Sequence, residues 1–380
     1  MEKVFVEGVG ITKFGKHSGR SGRELAVEAA VKAMEDAETV PQAIEELYVG
    51  NFLQNFFEDQ GHLGPALCGD IGLKSGIMAA RIESACASGG FALLEAYRAI
   101  RGGFAKRVLI VGVEKMSSKS TAEATRALRT AGDAFYEAPT GITFPGYFAL
   151  MADYYLKNLG GSRDDLAEIA IKNHHHASKN PLAQYQREID MEKYYDSPMI
   201  ASPLCLYDCS PMSDGAAALI LTSDKTGVEV MSCEGAVTPM TLGERARDIS
   251  WLESVEEAGR KAYARSGIGA ERIDVAEVHD CFTIAEVQHI EALGFYEHGG
   301  GIRAASDGDT YYDGKHPVNT DGGLKAKGHP VGATGVSMAV EITKQLRGES
   351  CNQVRDAEFG LLSNMGGSGP SCVVSIMGRC

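Results

Sequence analysis

Arg81-Ile82-Glu83-Ser84-Ala85-Cys86-Ala87-Ser88-Gly89-Gly90-Phe91-Ala92 is the stretch on which the reading of the chain turns. A single cysteine sits there among small residues. Ile82 closes a short run before it, and Phe91, Leu94 and Tyr97 recur at helical spacing after it, so Cys86 falls where a helix begins. Unpaired amide N–H groups and the positive end of a helix dipole stabilise negative charge at such a position, and the expectation is a thiolate. The small neighbours leave the sulfur open to a substrate. The competing reading is a buried structural cysteine, since free cysteine is among the most buried residue types.

The rest of the chain bears on that choice. At 380 residues it exceeds one compact core, so two domains or two fused halves are expected. No apolar run is long enough to span a bilayer. The formal net charge is −14 with no basic block, which argues against nucleic acid or an anionic membrane as partner. Nine cysteines lack a framework of spacings, and Met1-Glu2-Lys3 runs into Val4-Phe5-Val6 without a signal peptide. Reduced thiols and a cytoplasmic location are expected.

In chain order, Val4 to Val9 reads as a strand, Arg23 to Glu35 as a helix whose alanines suit close packing on a sheet, and Leu47 to Gly50 as a second strand. At one constant offset this segment matches Glu253 onward: Glu24 falls on Glu253, Glu28 on Glu257, Ala29 on Ala258, Lys32 on Lys261, Ile44 on Ile273 and Val49 on Val278. Helix, turn and strand recur in both halves, the mark of a duplicated unit. Val108 to Gly112 is a fully apolar run, as in a strand covered on both faces, and Phe359 to Leu362 is its late counterpart. Between Lys115 and about Leu204 the pattern loosens, and Ala216 to Leu221 then resumes a strand. The excursion reads as an insertion carrying the wall of an acyl or cofactor pocket, with Phe144 and Pro145 in it.

Three stretches in the second half carry chemistry. Val278-His279-Asp280-Cys281-Phe282 puts His279 and Cys281 at the carboxyl end of a strand, where α/β sheets bind ligands. Gly322 to Gly335 contains Gly328-His329-Pro330, so a turn presents His329 ahead of a helix from Val336 to Leu346. Ser363-Asn364-Met365-Gly366-Gly367 follows an apolar strand, and a backbone N–H there suits an oxyanion. Each has a structural explanation taken singly. Together, a cysteine nucleophile, a histidine base, a second cysteine and a glycine N–H are the parts needed for acyl transfer joined to deprotonation of a carbon acid. His174-His175-His176 and the Cys205/Cys209 pair do not make a metal motif, because adjacent histidines cannot all face one ion and no second cysteine pair follows; no metal is expected. A phosphate-binding Gly-x-x-x-x-Gly-Lys-Ser/Thr loop is absent.

Over almost its whole length the chain resembles the thiolase superfamily. Ala85-Cys86-Ala87-Ser88-Gly89 resembles the family's nucleophile motif, and Gly328-His329-Pro330 its histidine motif. His279-Asp280-Cys281-Phe282 stands where many thiolases have Asn-Glu-Ala-Phe, which looks like the sterol-carrier-protein-type and archaeal branch. Asn364 holds the place of the acid/base cysteine of a Cys-x-Gly motif and Gly366 keeps the glycine. The resemblance implies an α/β, five-layered αβαβα fold from two duplicated halves, 1–225 with a loop domain at about 115–205, and 226–380. It implies an acetyl-CoA C-acetyltransferase acting by Claisen condensation through an acyl-enzyme. The alternatives are a degradative 3-oxoacyl-CoA thiolase of longer or unusual chains, or a thiolase-like scaffold subunit. The implied roles are Cys86 as nucleophile, His329 and His279 at the reacting oxygens, Cys281 as carbon-acid base, Gly366 as oxyanion amide, Asn364 as an orienting group, and Phe282, Phe144, Pro145 and Met365 as the acyl wall. CoA thioesters would be substrates with no tightly bound cofactor, and the assembly a homodimer or dimer of dimers. Partners would include a zinc-ribbon/OB-fold protein and hydroxymethylglutaryl-CoA synthase.

Overall fold

The computed structural model describes residues 2–380. The first-half elements are β1 (Phe5–Ile11), α1 (Gly22–Asp36), β2 (Glu46–Gly50), α2 (Gln54–Phe57), α3 (Leu63–Ile71), β3 (Met78–Ile82), α4 (Ser88–Arg101) and β4 (Arg107–Lys115). Then come α5 (Thr121–Leu128), α6 (Phe144–Asn158), α7 (Arg163–Ser178), α8 (Met191–Tyr195), the short β5 (Met199–Ala201) and β6 (Leu204–Cys205), and β7 (Asp214–Thr222). The remainder is β8 (Val228–Val237), α9 (Glu253–Ser266), β9 (Val275–Val278), α10 (Thr283–Ala292), α11 (Thr334–Arg347), β10 (Phe359–Gly366) and β11 (Ser371–Arg379).

The nine long strands follow the order β3-β2-β4-β7-β1-β8-β11-β10-β9. Outward from the β1/β8 junction, each side runs first strand, last strand, penultimate strand, second strand. The pairing sense repeats as well. β7 is antiparallel to β1 and β4, and β2 is parallel to β4; β11 is antiparallel to β8 and β10, and β9 is parallel to β10. The offset that joins Glu24 to Glu253 also carries the turn Pro41–Ala43 onto Ala270–Arg272. The duplication is incomplete at one edge: the place of β3 is taken in the second half by a lone parallel bridge between Val318 and Ala276.

Five layers result. Leu25, Ala26, Ala29, Ala30 and Ala33 of α1 pack on Leu47, Val49, Leu109 and Ala218, with α3 beside them. α4 and α11 lie in the middle, touching strands of both halves and each other, and α9 and α10 cover the far face. The apolar periodicity of each helix is buried against a strand run that is apolar on both faces, the arrangement that removes most hydrocarbon from water. β4 and β7 are direct neighbours, so the intervening segment leaves the sheet and returns beside its origin. That segment carries four helices, α5 to α8, joined by irregular stretches. Among the described residues no helix is long and apolar enough to cross a membrane.

Candidate active site

The nucleophile turn comes first. Between β3 and α4 the chain reverses with Ala85 in the left-handed region at φ +51°, a conformation costing a non-glycine residue about 1–2 kcal/mol. It is held from both sides: Ser88 Oγ donates to the Ala85 carbonyl (2.6 Å) and accepts from the Ser84 amide (3.0 Å). Cys86 therefore stands two residues ahead of α4, close to where the helical spacing placed it. Its protonation differs from expectation. Burial pushes the thiol up to about 12, with Glu114 and Glu83 adding to the rise, against the opposing pull of the Gly367 and Cys86 amides. The helix start favours the anion, but the loss of hydration outweighs it, and the resting thiol is neutral.

His329 is held by a loop from Gly322 to Ala333 that other elements pin. Asp280 accepts from the Leu324 amide (2.7 Å), and Ser213 Oγ accepts from the His329 amide (3.0 Å). Thr334 Oγ1 donates its one proton to the Pro330 carbonyl (3.2 Å) and lies 2.8 Å from His329 Nδ1. With the hydroxyl donating to Pro330, Oγ1 accepts from Nδ1–H, the tautomer that leaves a lone pair on Nε2. Burial drives the imidazole down to about 3, so it is neutral at rest.

Asn364 on β10 joins the two halves. Its Oδ1 accepts from the Gly90 amide (3.0 Å), and its Nδ2 donates to the Cys86 carbonyl (3.0 Å) and contacts His279 Nδ1 (3.2 Å). The two backbone partners fix which end is the donor, so His279 Nδ1 accepts and Nε2 carries the proton. That N–H is buried without a protein partner. Burial and the neighbouring His329 and His289 hold His279 well below its ordinary value. The rings of His279 and His329 meet edge to face at 5.0 Å. One nitrogen of each and Cys86 Sγ lie within 4.8 Å of one another. Cys281, 6% exposed, has its thiol pushed well above the usual range by burial and by the negative charges Cys86 and Asp280 would carry.

Cys86, His329 and Cys281 form the floor of an apolar cavity of about 150 Å³, walled by Phe52, Met116, Leu128, Phe144, Pro145 and Phe282, with His279 buried behind that floor. Cys86, Cys281, His329 and Gly367 reach it. One sequence expectation needs correction. Met365 does not line the wall: strand residues alternate faces, and with Asn364 turned to the nucleophile, Met365 is fully buried in the core opposite Cys372. The Gly367 amide (φ +59°) acts on the resting Cys86 sulfur, and Gly366 directly before it closes β10. Gly366 serves close packing, since a Cβ there would sit 2.6 Å from the Ser84 carbonyl.

Several contributors escaped the sequence reading. Thr334 had a signal, a hydroxyl one helical turn past Pro330. Glu114 had none: it accepts from the Phe52 (2.9 Å) and Leu53 (3.0 Å) amides behind the nucleophile and is pushed up to about 7 by burial. Arg245 binds the Ser368 carbonyl and the Ile249 carbonyl (2.9 Å), tying down the loop that carries Gly367. Cys209 lies on the cavity wall. The three adjacent histidines face separate partners, the carbonyls of Arg187 and Asn319 and the Glu188 carboxylate.

Comparison with known proteins accords with this geometry. The family model "Thiolase, N-terminal domain" matches residues 4–225, and "Thiolase C-terminal domain-like" matches residues 235–379. A protein of Methanothermobacter thermautotrophicus named acetyl-CoA acetyltransferase is 41% identical over 387 residues, covering 100% of both chains. Human sterol carrier protein 2 is 34% identical over 96% of this chain and 70% of its own. Among solved structures, the Ltp2-ChsH2(DUF35) aldolase superposes with a TM-score of 0.84 at 26% identity, over 99% of this chain and 98% of that one.

Proposed function

Because this chain belongs to the thiolase family, we propose that it is a CoA-dependent acyltransferase that condenses two acyl-CoA molecules, acetyl-CoA to acetoacetyl-CoA in the simplest case, or runs the reverse thiolysis. The observation that carries the reading is the convergence of Cys86, His329 and His279 within 4.8 Å, where Cys86, His329 and Cys281 line one cavity and His279 is buried against them.

The resting protonation states supply the sequence of steps. His329 Nε2 takes the Cys86 proton as the sulfur attacks the thioester carbonyl, and the amides of Cys86 and Gly367 hold the tetrahedral oxyanion. The departing CoA thiolate takes the proton of Cys281, which its raised pKa has kept in place. Acyl-Cys86, like the resting thiol, carries no charge, so the Cys281 thiolate faces no neighbouring thiolate. A second acyl-CoA sets its thioester oxygen between the His329 imidazolium and the His279 Nε2–H, and Cys281 removes the α-proton. The enolate attacks the acyl-enzyme, the Cys86 sulfur leaves, and His329 returns its proton. CoA thioesters are substrates here, with no tightly bound cofactor in the scheme.

Intact-mass analysis after mixing with acetyl-CoA alone, followed by peptide mapping, tests the proposal: one labile acetyl group on Cys86 is expected. Acylation elsewhere would sink the assignment. For assembly, β3 is an uncovered sheet edge with half-exposed Ala79, Ala80 and Ile82, which supports a homodimer joined there; light scattering decides. The second component named in the solved Ltp2-ChsH2(DUF35) aldolase supports a partner protein on this chain, and activity that rises when such a protein is added would favour it; that the partner is a zinc-ribbon/OB-fold protein, with hydroxymethylglutaryl-CoA synthase in the same assembly, rests on the family resemblance alone. The nine cysteines are all unpaired, which suits a reducing cytoplasm.

A further inference from the structure

We propose that the catalytic floor is also a binding site for a soft divalent transition-metal ion of the zinc class, held by Cys86 Sγ, His329 Nε2 and His279, and that such an ion reversibly shuts the enzyme off. The three donor atoms lie within 4.8 Å of one another, all buried. A tetrahedral ion with metal–sulfur and metal–nitrogen bonds of about 2.3 and 2.1 Å brings its ligand atoms to roughly 3.5 Å apart. Each side chain therefore moves by less than roughly 1 Å. The donor set of thiolate and imidazole is the one that zinc, cobalt and copper prefer over magnesium or calcium. The fourth position opens into the cavity, where water or the Cys281 thiol completes the tetrahedron.

The protons balance. The Cys86 thiol gives up one proton and its sulfur takes the ion. His329 already presents a lone pair on Nε2, because Thr334 fixes the proton on Nδ1. His279 ligates through Nε2 after its proton moves to Nδ1, or through Nδ1 itself. Either way its contact with Asn364 Nδ2 is given up, so the Asn364 amide opposes the ion. It is anchored by the Gly90 amide and the Cys86 carbonyl and cannot turn its oxygen to His279. Asn364 thereby lowers the affinity of a site that catalysis obliges the chain to keep. Binding needs only these donors, whatever acyl group the enzyme handles.

Cobalt(II) titrated into the reduced full-length chain is the probe. One equivalent should bind, with a near-ultraviolet thiolate-to-cobalt charge-transfer band, and zinc should displace it. The band should vanish in Cys86→Ser. His329→Ala and His279→Ala should each weaken binding by more than the roughly tenfold to hundredfold that loss of a supporting residue costs a metal site, and Asn364→Ala should tighten it. Should a variant fail to fold, carboxamidomethylation of Cys86 in the parent chain must abolish the band. No band, a band that survives loss or blocking of Cys86, or binding that neither histidine variant weakens would overturn the site. None of these readouts depends on turnover, so the acyltransferase reading stands or falls separately.

Discussion

Cys281→Ala should separate the two half-reactions. The side chain is 6% exposed and the substitution removes one sulfur atom, a loss comparable to one buried CH₂ or about 1 kcal/mol. Folding should survive it. Acylation of Cys86 relies on His329, on Thr334 behind it and on the amides of Cys86 and Gly367, all untouched. The only missing part is the proton that Cys281 gives to departing CoA, and a thiolate is a competent leaving group without it, so acylation should slow by no more than roughly tenfold. Enolate formation loses its base, a contribution of roughly a hundredfold to ten-thousandfold, equivalent to about 3–5 kcal/mol of barrier. The assay follows acetyl-enzyme formation by rapid-quench mass spectrometry, and separately the exchange of deuterium from solvent into the methyl group of acetyl-CoA. The expected result is near-parental acylation with exchange lost. Exchange at the parental rate would refute the assignment of Cys281 as the base and would make His279 the next candidate. A parallel loss of both half-reactions would refute the division of labour.

Thr334→Val should lower acylation roughly tenfold to a hundredfold by leaving a buried N–H unpaired, and Thr334→Ser should restore it; equal rates in all three would remove the tautomer role. Ala85→Gly should raise the melting temperature by relieving about 1 kcal/mol of left-handed strain, whereas a fall would show the turn is not strained. Gly335→Ala should be poorly folded, because its Cβ would lie 2.3 Å from both the Gly90 nitrogen and Asn364 Oδ1; normal circular dichroism and turnover would contradict that packing. Burial depresses His329, His174 and His176 to about 3 and His289 to about 4. The unfolded chain therefore binds protons below about pH 6.5 that these rings refuse, while Glu114 and Asp280, raised to about 7, take up protons in the fold over the same range and oppose the loss. The clean readout is the rings themselves: their NMR signals should stay those of neutral imidazole down to about pH 5, and titration near 6.5 would show that they are already charged in the fold.

What was legible in the sequence was what repeats or what chemistry restricts to few residue types. The Glu24/Glu253 register located a helix, a turn and a strand in each half because all three have strong local periods. Cys86, His329, His279 and Cys281 stood out because each sits at an element's end and belongs to one of the few residue types that can carry this chemistry. What stayed hidden depends on contacts across the chain. The helix start alone points to a thiolate at Cys86, yet its protonation follows from an apolar cavity assembled from α5, α6 and the turn before α10.

The hidden part also explains the duplication in chemical terms. α4 and α11 are corresponding helices of the two halves, and their N-termini abut so closely that a Cβ on Gly89 would lie 2.9 Å from the Gly332 carbonyl and one on Gly335 2.3 Å from the Gly90 nitrogen. Cys86 precedes one helix and His329 the other, so nucleophile and base occupy related positions and share the positive ends of two dipoles. Asn364 then bonds the Gly90 amide and the Cys86 carbonyl of the first half while resting against His279 of the second. Neither half holds a complete set of reacting groups. Each alone would also expose the inner face of its sheet, which α4 and α11 jointly cover, so the fusion that buries this layer is the same event that assembles the site.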